Sequence, residues 1–242
     1  MRNILLFAAF TLSIMSSGRF ANADVVTIAT WTFETSVPGG TSGITGQSIS
    51  GLAAEVGVGT ASGNHASSAT VWSNPVGNGS NESLSSNNWA VGDYVQFNVS
   101  TLGLENLSVE WDQTSSGTGP GEFKLAYRVG AGSFVDFQNY NVLPNQAGSP
   151  GLGTWGSLTR IAGYGFSVDL SSVAALNNAS SVDFRLVMRS TNDATPPGTV
   201  QSGGTSRFDN VTIKASAVPE PTSAGLLALT GVAGLAFRRR RS

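Results

Sequence analysis

Apolar residues in this 242-residue chain recur at every second position over short stretches, again and again. In 181–189 (SVDFRLVMR), Val182, Phe184, Leu186 and Met188 fall on one side of an extended backbone, and Asp183, Arg185 and Arg189 fall on the other. Residues 122–129 (EFKLAYRV) repeat the pattern with Phe123, Leu125, Tyr127 and Val129, and 25–33, 93–100, 106–113, 133–140, 164–170 and 206–214 carry it too. A period of two gives each strand one dry and one wet face, which suits antiparallel sheets packed face to face. Clusters of Gly, Pro, Ser and Asn at 115–122, 144–154 and 192–205 separate the strands as turns and surface loops. Only 169–180 (DLSSVAALNNAS) reads as helix, with Ser171 or Ser172 as N-cap and Asn177 or Asn178 at its end. That is too little helix for parallel crossovers. The predicted fold is all-β, a jelly-roll-like antiparallel β-sandwich in preference to a barrel.

The two ends follow other rules. Arg2, the apolar run Ile4 to Ile14 and the A-x-A site Ala21-Asn22-Ala23 predict a signal peptide over 1–23, with a mature chain from Asp24. At the other end, 222–237 contains no charged residue, and Arg238, Arg239, Arg240 and Arg241 follow at once. As a helix those sixteen residues run about 24 Å, slightly short of a bilayer core. The arginines resist translocation, so they act as a membrane stop and leave the rest of the chain outside. The expected architecture is therefore a signal helix (1–23), a β-sandwich domain (24–217) and a tail (218–242) with a transmembrane helix.

Val218-Pro219-Glu220-Pro221, an apolar segment and an arginine cluster, in that order, resemble the PEP-CTERM sorting tail of Gram-negative bacteria. The resemblance implies an exosortase-type sorting enzyme as partner, with Pro219, Glu220 and Pro221 as the sorting motif. It also implies membrane anchoring before processing and a final place in the cell envelope or extracellular matrix. Nothing about activity comes with it, because such proteins share the tail and not the domain before it.

Without its ends the chain is acidic. Residues 24–217 hold fourteen acidic and seven basic side chains, a net charge near −7, and the near-neutral total is due to the terminal arginines. Such a domain lacks the basic stripe that nucleic acid requires, so nucleic acid is excluded as a partner; neutral glycans and divalent cations fit better. Absence of cysteine excludes disulfides, and a domain of this length holds one core without them. His65, the only histidine, lies in a Gly/Ser/Asn stretch (ASGNHASS) and is expected to be a solvated loop residue.

Three groups of residues invite a chemical reading. Glu34 follows Phe33 in the first strand and Asp209 follows Phe208 in the last. Should those strands pair, the carboxylates approach, and a structural Ca²⁺ between them relieves their repulsion. This resembles calcium-containing carbohydrate-binding β-sandwich modules, with an early "FE" and a late "DN". The competing expectation is a solvated Glu34 and an Asp209 that caps its own turn. Glu110 and Asp112, at i and i+2 about Trp111, have a spacing usable for acid and base in a glycosidase, with Trp111 as sugar platform; if Trp111 is core, both carboxylates are solvated. Trp72, Trp89, Trp155, Tyr140 and Tyr164 fall in or near loops, as core and loop anchors or as stacking platforms.

The expected function is an exported, non-enzymatic, surface- or matrix-associated β-sandwich that binds glycan or is structural in extracellular polysaccharide, with no catalytic residue assigned. The alternative is a polysaccharide-active enzyme using carboxylates such as Glu110 and Asp112.

Overall fold

The computed structural model describes residues 24–36, 43–145 and 153–218. The expected signal helix, Pro219 to Pro221, the apolar helix 222–237 and Arg238 to Arg241 lie outside them. Among the described residues no helix is long and apolar enough to cross a membrane.

Among the described residues the domain has fourteen strands. They are β1 (Val25–Trp31), β2 (Ile44–Thr45), β3 (Ser48–Ala53), β4 (Val56–Gly57), β5 (Thr60–Asn64), β6 (Val71–Ser73) and β7 (Leu84–Ser86). The second half supplies β8 (Tyr94–Val99), β9 (Leu104–Ser115), β10 (Glu122–Val129), β11 (Val135–Asn141), β12 (Gly165–Asp169), β13 (Val182–Met188) and β14 (Ser206–Ala217). One sheet runs β12-β9-β14-β7-β6-β2, with β1 against β14 and β4; the other runs β11-β10-β13-β8-β5-β3. The strand pairs in both are antiparallel. β14 organises the first sheet, since β9 pairs along one of its edges while β7 and then β1 share the other. The first and last strands are therefore neighbours, with Trp31 opposite Val211.

The dry faces meet in one core. Trp31, Trp72, Trp111, Phe97, Phe123, Phe184 and Phe208 are fully buried in it, each worth about 1.5–3 kcal/mol of transfer free energy. Trp72, Trp89, Trp155, Tyr140 and Tyr164 are likewise buried, so they anchor the fold and none is free to stack on a sugar.

Two expectations change. The helix over 169–180 is absent; Asp169 Oδ1 accepts the amide of Ser171 at 2.8 Å, and only one 3-10 turn, Ala174–Leu176, follows. Short polar side chains and β-branched Val173 offer the backbone turn bonds that compete with so short a helix. His65 is not solvated. It is 0% exposed at the end of β5, with ring centroids 4.7 Å from Trp72 and 4.2 Å from Trp89. Its Nδ1 lies 3.2 Å from Thr70 Oγ1 and 3.4 Å from Asp93 Oδ2, and burial pulls its pKa down to about 4. Nothing local announces this, because the two indoles that close over it belong to other segments. Gly63 makes room for one of them: a β-carbon there falls 2.4 Å from the Trp72 ring.

Candidate functional site

Two polar regions stand out against this core, one at the end of the β9–β14 pair and one on the outer face of the six-stranded sheet. The first begins with a break in periodicity. Phe208 and Val211 both point inward, so two residues, Asp209 and Asn210, occupy the place of one; the ladder shifts register there, and Asn210 takes a φ of 50°. Asp209 lies opposite Asp112 across the sheet, and both are 0% exposed, roofed by residues 76–83 and the chain around Arg160.

The two carboxylates are satisfied differently. Asp112 receives a bidentate pair from Arg160 (Nε to Oδ2 and Nη2 to Oδ1, both 2.7 Å), and Asn78 Nδ2 and Asn210 Nδ2 donate at 3.0 and 2.9 Å. Among the described residues Asp209 has no salt-bridged cation. Its oxygens accept the amides of Asn78 and Asn210 at 2.7 Å and the hydroxyl of Ser80 at 2.6 Å. Burial raises its pKa to about 7 against the pull of those bonds, and the charge of Asp112 adds to the rise.

Glu34 holds the other side of the same loop. Phe33 takes a left-handed φ of 58° while fully buried, a conformation that costs about 1–2 kcal/mol in a non-glycine residue. Glu34 follows it, exposed, and accepts the amides of Asn81 and Glu82 at 2.6 and 3.0 Å. The structure thus brings Glu34 and Asp209 to one loop, gripped from two sides. Beside it, a β-carbon on Gly77 falls 2.0 Å from Ser80 Oγ, 2.2 Å from the Glu82 carbonyl oxygen and 2.4 Å from Asp209 Oδ2, so three oxygens converge on a place that only glycine leaves open. Among the described residues no three His, Cys, Asp or Glu side chains form a metal-binding cluster. The oxygen set at this corner is thus one buried carboxylate, a hydroxyl and a carbonyl, with Glu34 adjacent.

Glu110 and Asp112 part company. Glu110 is half-exposed and bonded to Lys214 Nζ at 2.7 Å, while Asp112 is sealed, and Trp111 is fully buried on the opposite face. The expectation of two solvated carboxylates therefore fails at Asp112, because loops cover that end of the strand. The cleft lined by Val76, Trp155, Leu158 and Ile161 opens nearby, but the Trp155 ring is buried and its Nε1 donates to the Val76 carbonyl at 2.8 Å.

The second region is set by register. Thr60, Asn98, Asp183 and Arg128 form one row across the outer face of β5, β8, β13 and β10, and Ser62, Gln96 and Arg185 form the next. Asp183 accepts Arg128 (2.9 and 2.6 Å), Gln96 Nε2 (3.0 Å) and Asn98 Nδ2 (2.9 Å). Arg185 Nε donates to Gln96 Oε1 at 2.7 Å, and its guanidinium lies 3.6 Å from the Tyr94 ring centroid and 3.7 Å from that of Phe134. A groove lined by Val58, Thr60, Asn98, Ser100 and Ser180 continues from the first row. The alternation in SVDFRLVMR puts Arg185 on the wet face; its partners become visible only once β8 is in register.

No curated protein matches the sequence. Among solved structures, the chain is similar to a carbohydrate-binding module studied for specific mannan recognition, at 16% identity over 80% of this chain and 99% of that one, with a TM-score of 0.39. It is similar also to the K2 cleaved adhesin domain of Lys-gingipain (13%, 78% and 97%, TM-score 0.38) and to a family 35 carbohydrate-binding module from Clostridium thermocellum (14%, 79% and 98%, TM-score 0.34). Residues 217–241 match the PEP-CTERM protein-sorting motif, which marks the chain as an exported protein of the kind that exosortase processes.

Proposed function

We propose that this exported protein is a non-catalytic glycan-binding β-sandwich of the cell envelope or the extracellular polysaccharide, and that the outer face of β5, β8, β13 and β10 is its binding surface. The observation that supports the reading is the double row of hydroxyl, amide and guanidinium groups on one rigid sheet, bordered by the rings of Tyr94 and Phe134 and extended by the groove at Thr60 and Asn98. Sugar hydroxyls need donors and acceptors at fixed spacing next to apolar surface, and strands supply that spacing with little loss of entropy on binding. The carboxylates that could serve an enzyme are occupied: Asp112 by Arg160 and Glu110 by Lys214.

The test is retention of the full-length protein on a glycan array and on the producer's own exopolysaccharide, run beside a reducing-end release assay. Retention without new ends is expected, weakened several-fold by Thr60→Ala, which removes an exposed hydroxyl with no partner among the described residues. New reducing ends overturn the non-catalytic part, and no retention on any glycan overturns the binding part. Sorting is checked separately: alanines at Pro219, Glu220 and Pro221 should leave the tail unprocessed, and an unchanged mature C-terminus by mass spectrometry would show that another element is recognised.

We propose in addition that the Gly77 corner takes a structural Ca²⁺. Asp209, the Ser80 hydroxyl and the Glu82 carbonyl supply oxygens of the kind calcium selects, and Glu34 supplies a second carboxylate from across the loop. The cation would offset the buried charge of Asp209, which among the described residues has no basic partner.

A further inference from the structure

Arg185 differs from the other cations on its sheet face. Lys124 is bonded to Asp136 and Arg128 to Asp183, both within 2.7 Å, whereas Arg185 has no carboxylate within salt-bridge distance among the described residues. Its guanidinium is held on three sides, by Tyr94 on one face, Phe134 on the other and Gln96 at Nε. The two terminal nitrogens, Nη1 and Nη2, have no hydrogen-bond partner among the described residues. Their N–H groups form the fork that matches a carboxylate in a bidentate way, and the two rings and the amide fix its plane beforehand. Holding this side chain in one rotamer removes most of the entropy that a ligand would otherwise have to overcome.

We propose that this fork receives the carboxylate of an acidic sugar, so that the ligand of the sheet face is a uronic-acid-containing polysaccharide. The inference rests on the glycan-binding reading above and specifies its substrate class. Charge favours it locally: Arg128 and Lys124 are neutralised by their partners, so Arg185 gives this face an uncompensated positive charge inside a domain whose net charge is near −7. The neighbouring rows supply the hydroxyls of Thr60 and Ser62, which among the described residues have no hydrogen-bond partner, for the sugar's own hydroxyls.

The experiment uses the full-length protein with polygalacturonate and the same polymer after reduction of its carboxylates to alcohols, followed by affinity electrophoresis. Binding to polygalacturonate should exceed binding to the reduced polymer by at least about tenfold, the loss expected for one charge-assisted bidentate contact. Arg185→Gln should remove that difference, and Arg185→Lys, which keeps the charge and loses the fork, should restore only a small part of it. Melting curves check that the variants fold, and the reduced-polymer comparison needs no variant at all. Equal binding of both polymers overturns the inference while leaving glycan binding intact. So does tighter binding to a sulfated neutral polysaccharide than to polygalacturonate, which would indicate a general anion site. Binding to neither polymer, with retention on some other glycan, overturns the uronic-acid assignment; retention on none overturns the glycan reading itself.

Discussion

The β9–β14 corner and the β8–β13 face hold their charges in opposite ways. At the corner, Asp112 and Asp209 are fully buried and their oxygens accept donors from Asn78, Ser80 and Arg160 of the covering segments and from Asn210 of β14, so the charge serves to tie segments distant in sequence. On the sheet face, Arg185 is half-exposed, its faces are stacked and its outer edge is left unbonded. Bonding capacity satisfied inward stabilises a fold and is closed to a sugar, although an ion taken up on folding can still complete it; capacity left outward contributes little to folding and is available for recognition. The difference lies in what covers each strand, since both regions occupy nominally wet positions of the same alternating pattern.

The largest effect should come from breaking the corner. Asp112→Ala releases Arg160, whose side chain is 54% exposed and can be solvated, and takes one acceptor from each of the covered amides of Asn78 and Asn210; it should cost on the order of 3 kcal/mol, chiefly the unsatisfied donors. At about 2–4 °C per kcal/mol for a domain of this size, the melting midpoint should fall by roughly 10 °C. A drop of less than a few degrees would show that the loops are held by something else.

His65 sharpens the contrast, as a group buried without charge. Its folded pKa, about 4, lies below the ordinary 6.5, so the unfolded chain takes up a proton that the native one refuses. Stability is therefore full above pH 6.5 and declines as pH falls toward 4, by roughly 3 kcal/mol in total. Asp93, the carboxylate facing it, has a raised pKa through burial and acts in the opposite sense, losing its contribution as pH rises through its own folded value. Urea unfolding at pH 7, 5.5 and 4.5 should show the decline, and His65→Gln should flatten it; an equal slope in both proteins would exclude His65 as its source.

Calcium tests whether Asp209 is compensated. An ion bound only by the native state contributes RT ln(1 + [L]/Kd), about 2.7 kcal/mol at a hundredfold excess over Kd, which is several degrees in the melting midpoint. Glu34→Gln and Asp209→Asn should each remove most of that gain, and magnesium should substitute poorly. Coincident melting curves in EDTA and in millimolar calcium would refute the site. Smallest of all should be Arg185→Gln, which is expected to change stability by no more than about 1 kcal/mol, the order of an exposed cation–π contact, while altering binding most. A larger loss, measured by the same urea titration, would move Arg185 from the recognition face to the scaffold.

Much of the sandwich was legible in the chain. The strands with Val, Phe, Leu, Tyr or Ile at every second position (β1, β8, β9, β10, β13 and β14) were visible because half-burial imposes that period. β3 (SISGLA), β5 (TASGN) and β7 (LSS) were not, since Ser and Gly carry no such signature and these strands exist because their neighbours pair with them. The sorting tail, too, is read from order and composition alone. In the candidate site, the three-residue step from Phe208 to Val211 hints at the bulge that buries Asp209, and DFR places Arg185 outward. What the sequence could not show is that residues 76–83 and Arg160 seal Asp112, that two distant indoles enclose His65, or that Tyr94 and Phe134 clamp Arg185. Local alternation depends only on a residue and its immediate neighbours along the strand, whereas burial of an outward position depends on which remote segment lies over it, and that is fixed only when the sheets and loops are assembled.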